Sequence, residues 1–209
     1  RVPTTAYRKQ RRGGKGVIGM SMKDSDFVEH VFLASTHDYL LCLTDTGLLH
    51  WLKVYDVPEG SRTAKGKAIV NLLQMDSAQN LASMIRVREF RDDEFLVMAT
   101  RKGIVKKTAL SAYANVRAKG IIAIRIDDDD ELIGVVRTEG DQDIMLTSRD
   151  GLSIRFAETA LRSMGRATRG VKGMTLAEGD ELVGIEKVDP AATMIEVTEN
   201  GYGKRTSFE

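Results

Sequence analysis

A pair of short motifs recurs along this chain about every fifty residues, and that period limits the possible folds more than any other feature. Four segments share an apolar run, a polar turn ending in glycine, and a second run: LLCLTDTGLLHWLKV, FLVMATRKGIVKKTAL, IMLTSRDGLSIRFAE and MIEVTENGYGKRTSF. Their turn glycines are Gly47, Gly103, Gly151 and Gly201. Runs rich in Leu, Ile, Val and Thr around an Asp-, Asn- or Lys-Gly turn read as β-hairpins. The second motif places an arginine and a Lys-Gly pair before an apolar run: RGGKGVIG at Arg12, RTAKGKAIVNL at Arg62, VRAKGIIAIRI at Arg117 and RGVKGMTL at Arg169. Its lysines are Lys15, Lys65, Lys119 and Lys172, and the copy at Arg117 is one residue shorter.

A third piece, acidic and then apolar, lies between the two in RIDDDDELIGVVRTEGDQD and LAEGDELVGIEKVDPAA. Each repeat thus supplies about four short strands and almost no helix, the size of one blade in a propeller-like all-β fold. A single blade cannot bury both faces, so blades must stack side by side around shared cores. The expected layout is a partial first blade at about 1–25, full repeats at about 26–75, 76–125 and 126–178, and a partial last blade at about 179–209. Copies are incomplete at both ends, as expected of a fragment with an incomplete blade set. SAYANV and Gly60-Ser61 read as turns or a helical turn.

Charge is balanced in total, at +1, but segregated along the chain. Residues 1–20 carry Arg1, Arg8, Lys9, Arg11, Arg12 and Lys15 with no acid. Residues 101–125 carry Arg101, Lys102, Lys106, Lys107, Arg117, Lys119 and Arg125, again with none. Acids gather at Asp92–Glu94, Asp127–Glu131, Glu139 to Asp143 and Glu178 to Glu181. One basic and one acidic face would hide a nucleic-acid surface behind a neutral sum. No apolar run approaches a membrane span, and no signal peptide opens the sequence. Cys42 is the single cysteine and reads as a buried strand residue, in keeping with a reducing compartment.

Several apparent motifs fail on context. GKGVIG at Gly14–Gly19 has the G-x-G-x-x-G spacing, but YRKQRRG before it cannot be the buried strand a dinucleotide loop requires. GSRTAKGKA at Gly60 lacks the Walker glycine spacing and any Ser or Thr after Lys67. Asp127–Glu131 fits no calcium-loop register and reads as a solvated turn. His30, His37 and His50 meet no nucleophile, so no catalytic constellation, metal site or cofactor is expected. Trp51 and Tyr55 read as strand residues packing the first full blade, with base stacking as the alternative.

QRRGGKG at Gln10, Arg11, Arg12, Gly13, Gly14, Lys15 and Gly16 is identical to the box that marks the C-terminal domain of the bacterial DNA gyrase A subunit. THDYLLCLTDTG, KVYDVPEGSRTAKGKAIVNLL and TENGYGKRT also resemble that domain, so the resemblance runs along essentially the whole chain. Topoisomerase IV has similar blades with a degraded or absent box and is the weaker match. The resemblance implies a β-pinwheel, with strands exchanged between blades, that wraps double-stranded DNA around its outer edge. It also implies a cytoplasmic, nucleoid-associated A₂B₂ enzyme, formed with the rest of the gyrase A polypeptide and with gyrase B, that couples ATP hydrolysis to negative supercoiling. The DNA-linking tyrosine of that family lies in another region, so none of Tyr7, Tyr39, Tyr55, Tyr113 or Tyr202 inherits its role and this segment alone is not an enzyme. As an isolated domain it is expected to be monomeric.

A surface that binds without regard to sequence contacts phosphates rather than base edges. Expected DNA-binding residues are Arg8, Lys9, Arg11, Arg12 and Lys15 at the box, Arg62, Lys65 and Lys67, Arg117 and Lys119, then Arg169 and Lys172. Lys106, Lys107, Arg155, Lys204 and Arg205, on strands after the hairpin turns, form a second tier. A protein-interaction propeller is the competing class.

Overall fold

The computed structural model describes residues 1–7, 9–21, 28, 30–76 and 78–208. Among them every regular element is a β-strand or a short 3₁₀ turn. All four expected hairpins form: β1 (Tyr39–Thr44) with β2 (Leu48–Lys53), β4 (Phe95–Thr100) with β5 (Ile104–Ala109), β8 (Asp143–Ser148) with β9 (Ser153–Ala157), and β12 (Thr193–Val197) with β13 (Gly203–Ser207). A third strand after each of the first three hairpins pairs with its first strand. These are β3 (Leu81–Val87), β7 (Leu132–Thr138) and β11 (Leu182–Lys187). The acidic third piece therefore leads into a strand, as its Glu-Leu pattern predicts.

Two further strands are only two residues long and cross between blades. β6 (Ile121–Ile122) follows the second hairpin but pairs with β2 of the first. β10 (Val171–Lys172) follows the third hairpin but pairs with β5 of the second. The sheets are thus ordered β3-β1-β2-β6, β10-β5-β4-β7, β11-β8-β9 and β12-β13, all antiparallel. Strand exchange of this kind means that each four-stranded sheet draws on more chain than one repeat.

After its short strand the chain crosses the turn of the preceding hairpin. The Ala123 amide donates to Gly47 O at 2.9 Å, and Gly173 to Gly103 O at 2.8 Å. Gly47 and Gly103 sit at φ +80° and +81°, and a Cβ on Gly103 would lie 2.7 Å from the crossing Met174 carbonyl. Glycine is therefore required twice over, by the turn and by the chain above it. The same crossing joins blades further on, where Leu132 N donates to Asp45 O and Leu182 N to Arg101 O, both at 2.8 Å.

Alternation decides the core. On β4, Leu96 and Met98 face the first blade while Val97 and Ala99 face the third, and all four are fully buried. On β1, Leu41 and Leu43 join Leu49, Leu110, Tyr113 and Leu132 in the core between the first two blades. Leu40 and Cys42 point the other way, toward Leu52, Val54 and Leu73. Ile144, Leu146, Leu161 and Ile185 complete the core between the second and third blades. Each buried aliphatic side chain contributes about 1.5–3 kcal/mol, but only because a neighbouring blade covers it. Burial pushes the Cys42 thiol up to about 12, so it is an inert core residue, as its strand context predicts.

Candidate nucleic-acid interface

Four glycines with positive φ mark equivalent points on the edge of the fold: Gly16 (+75°), Gly66 (+72°), Gly120 (+79°) and Gly170 (+109°). A basic residue precedes each: Lys15, Lys65, Lys119 and Arg169. Just upstream lies a tight turn, closed by Gly14 N to Arg11 O (3.0 Å), Ala64 N to Ser61 O (3.0 Å), Gly120 N to Arg117 O (2.8 Å) and Thr168 Oγ1 to Gly165 O (2.9 Å). These bonds put Arg12, Arg62 and Arg166 at one position, and they correct the sequence alignment of the last copy. Arg166-Ala167-Thr168-Arg169-Gly170 is the structural counterpart of Arg12–Gly16, not Arg169–Gly173. Strand pairing fixes this register, because Val171 faces Val105 as Ile121 faces Leu49. Lys172 therefore falls on β10, opposite Ile104, where the earlier copies carry Ile122, Ala68 and Ile18. Arg166 went unnoticed in the sequence, although an Arg-x-x-Arg-Gly spacing reveals it.

The box owes its two extra glycines to its own turn. Gly13 has φ +83°, and a Cβ on Gly14 would lie 2.7 Å from Gln10 Oε1, so the glutamine folds over it. Residues flanking the box lie against the next turn: the Arg1 amino group donates to Pro58 O (2.9 Å), Gly60 N to Arg1 O (3.0 Å), and Met20 Cε lies 3.1 Å from the place of a Gly66 Cβ. The last turn is joined to the segment leaving the third by Arg125 N to Thr168 O at 3.0 Å.

Most cations of these turns lack a carboxylate partner. Arg11, Arg12, Lys15, Arg62, Lys65, Lys67, Arg117 and Lys119 form no ion pair with any described residue, and all but half-buried Arg62 are exposed. Arg169 is exposed and bound by Asp127 at 2.5 Å. Elsewhere carboxylates occupy several arginines: Arg88 on Asp38 (3.2 Å), Arg91 on Asp93 (2.6 Å), Arg137 on Glu94 (2.9 Å) and Arg149 on Glu181 (3.0 Å). The acidic turns serve the hairpins, with Arg101 facing Glu131 at 3.4 Å, Lys102 N donating to Asp130 Oδ1 at 2.9 Å, and Asp150 N to Asp180 Oδ1 at 3.1 Å. Lys9, Lys172, Lys204 and Arg205 are exposed, whereas Arg8 lies outside the described residues.

Two second-tier cations are not on the surface at all. Lys106 is fully buried, donating from Nζ to Ala123 O at 2.6 Å and to Arg166 O. Burial, with the Arg166 guanidinium nearby, pushes its ammonium down to about 8. Lys107 is also buried, 2.7 Å from Glu158 Oε1 and with Nζ 4.3 Å from the Phe95 ring centre. Both are removed from the DNA-contacting set, because neighbouring blades close over their strand. Arg155, at the position of Lys107 on the matching strand of the third blade, is exposed but held by Asp143 at 2.7 Å. His50, the equivalent of Lys106 in the first blade, is buried beneath Gly120, and burial lowers its pKa. Trp51 is half-buried edge-on to Tyr39 at 4.9 Å, which fits the packing role, while Tyr55 is exposed. Among the described residues no group of three or more His, Cys, Asp and Glu is arranged to hold a metal, and no helix is long and apolar enough to cross a membrane.

Blades joined by exchanged strands, with a turn of glycine and basic residues on each, match a known family of proteins. Residues 1–35, 38–78, 94–139, 142–189 and 197–209 fit the family described as DNA gyrase C-terminal domain, β-propeller. The chain belongs to that family. It is 44% identical over 207 residues to the A polypeptide of DNA gyrase from Salmonella typhimurium, covering 99% of this chain and 24% of the relative. The corresponding gyrase polypeptide of Mycolicibacterium smegmatis is 44% identical over 211 residues, covering 100% and 25%. The chain thus spans about a quarter of the length of these relatives. Among solved structures, the C-terminal domain of DNA topoisomerase IV superposes with a TM-score of 0.76 at 27% identity, over 83% of this chain and 54% of that one. The DNA gyrase A C-terminal domain superposes at 0.72 with 24% identity, over 98% and 66%, a likeness of fold.

Proposed function

We propose that this chain binds double-stranded DNA without sequence preference and bends it along the four basic turns into a chiral wrap. The observation that carries this reading is the repeated basic residue before a positive-φ glycine, with most of its neighbouring cations free of carboxylate partners. Unpaired cations can neutralise phosphates and release counterions, and exposed turn amides beside glycine let a phosphate approach closely. Bending 20–30 base pairs by 40–90° costs on the order of 1–6 kcal/mol, which several such contacts offset. In its parent protein the wrap would present DNA to a distant cleavage and ATPase machinery and bias strand passage toward negative supercoiling. This segment supplies no chemistry of its own in that scheme. The same reading places the parent in the bacterial cytoplasm as an A₂B₂ assembly with gyrase B, and the isolated segment as a monomer.

The box, with its paired arginines and extra glycine turn, grips the end of the wrap and sets its hand. A topoisomerase IV C-terminal domain is the second reading, favoured by the superposition at 0.76 and opposed by the intact QRRGGKG. The test is the linking number of nicked circular DNA resealed with increasing protein. A dose-dependent positive shift that collapses as salt rises supports chiral wrapping. Binding with no shift supports the second reading, and no binding at low salt overturns both.

A further inference from the structure

Lys106 is buried, yet its ammonium touches one basic turn and the segment that leaves another from beneath. One carbonyl it holds, Ala123 O, ends the segment that leads out of the Arg117–Gly120 turn. The other, Arg166 O, belongs to the first central residue of the next turn. These groups are 17 and 60 residues from Lys106 in sequence and come from different repeats. Two other described polar contacts join the last turn to the segment leaving the Arg117–Gly120 turn, Arg125 N to Thr168 O and Arg169 to Asp127. Tyr113 Oη approaches the same Ala123 carbonyl at 3.3 Å, which fixes that side of the clamp. In the first blade the equivalent His50 lies under Gly120 with its ring against the glycine Cα face, so the position under the turn is filled in both blades.

We propose that Lys106 is a positioning residue that sets the distance and angle between consecutive DNA-contacting turns, and so the curvature of the wrap. The proposal rests on the DNA-wrapping reading for its consequence, but not for the clamp itself. An ammonium offers three donors on a rigidly packed stem, enough to hold two carbonyls at a fixed separation. Lysine in this role affects wrap geometry without contributing to the count of neutralised phosphates.

The test compares the wild-type chain with Lys106→Met and Lys106→Arg, the arginine keeping charge and donors. Amide hydrogen exchange is read first, without DNA. In Lys106→Met, exchange at Gly120, Ala123 and Arg125 should accelerate about tenfold or more, while amides of β8 and β9 stay protected. Binding to a linear duplex should keep its salt dependence, while the linking shift per bound protein falls to roughly half or less. Lys106→Arg should restore part of the shift. Unchanged exchange in a folded Lys106→Met overturns the clamp whatever DNA does. Accelerated exchange with an unaltered linking shift overturns its role in curvature. If Lys106→Met does not fold, Lys106→Gln, which keeps an N–H donor without the charge, carries the same comparison. Failure of the wild type to bind DNA would strike the wrapping reading and leave the exchange result standing.

Discussion

Single side chains show how far charge can mislead about location. Lys106 and Lys107 follow Gly103 at the positions that His50 and Trp51 occupy after Gly47, so both pairs lie on the same stretch of strand. Strand alternation sends the two lysines to opposite faces of a sheet that is covered on both sides. Each therefore needs an internal partner. For Lys107 it is Glu158, itself fully buried, which also accepts from Thr138 Oγ1 at 3.0 Å and Gln142 N at 3.3 Å. Lys107→Met leaves that carboxylate charged without its counter-ion and should cost about 3–5 kcal/mol in urea denaturation. The paired change Lys107→Met with Glu158→Leu should recover most of that loss, because burying an apolar pair avoids desolvating two ions. Neither variant should alter the salt dependence of DNA binding. A single mutant as stable as wild type would show that the pair does not hold the second and third blades together.

At the level of elements, the hairpins were legible because alternation and the turn glycine point the same way. Leu96 and Met98 against Val97 and Ala99 already announce a strand buried on both faces. The two-residue strands were not legible. Ile121–Ile122 and Val171–Lys172 are too short to show a period, and their partners lie in the preceding blade. Their brevity leaves the register of the last turn open in the sequence, where the motif occurs twice in overlap, once from Arg166 and once from Arg169. Local sequence cannot choose between them, but pairing of Val171 with Val105 does. The likeness to gyrase supplied the exchange of strands, not the position of its short members. The corrected register makes an element-level prediction. Arg169→Ala should weaken binding to any duplex and lower the salt slope by about 1, whereas Lys172→Ala should leave the slope unchanged. Because Asp127 already holds Arg169, part of the loss at Arg169 reflects a bond given up on binding. Equal effects from the two mutants would restore the sequence register.

For the whole molecule, a net charge of +1 conceals a division of labour. Acidic turns lie against the second and third hairpin turns and are occupied by hairpin cations and amides, as in Arg149 with Glu181 and Asp150 with Asp180. Basic turns lie at the start of the crossing segments and keep most of their cations free, Arg169 on Asp127 being the exception. Eight cations on and beside these turns, Arg11, Arg12, Lys15, Arg62, Lys65, Lys67, Arg117 and Lys119, form no ion pair with any described residue. If all engage phosphates, log K against log salt should fall with a slope of roughly −7, at about 0.9 per phosphate. The measurement is a duplex titration over a range of potassium chloride, repeated with an unrelated sequence to confirm the same slope. Replacing Arg11, Arg12 and Lys15 by alanine should reduce its magnitude by roughly 3 if the box contacts phosphates like the other turns. On the proposed role of the box at the end of the wrap, the linking shift should fall further than this loss of affinity explains. A slope near zero would mean that binding does not depend on these cations. A full slope with no linking shift would mean that the turns grip DNA without holding it on a curve, and curvature would then have to come from elsewhere in the parent protein.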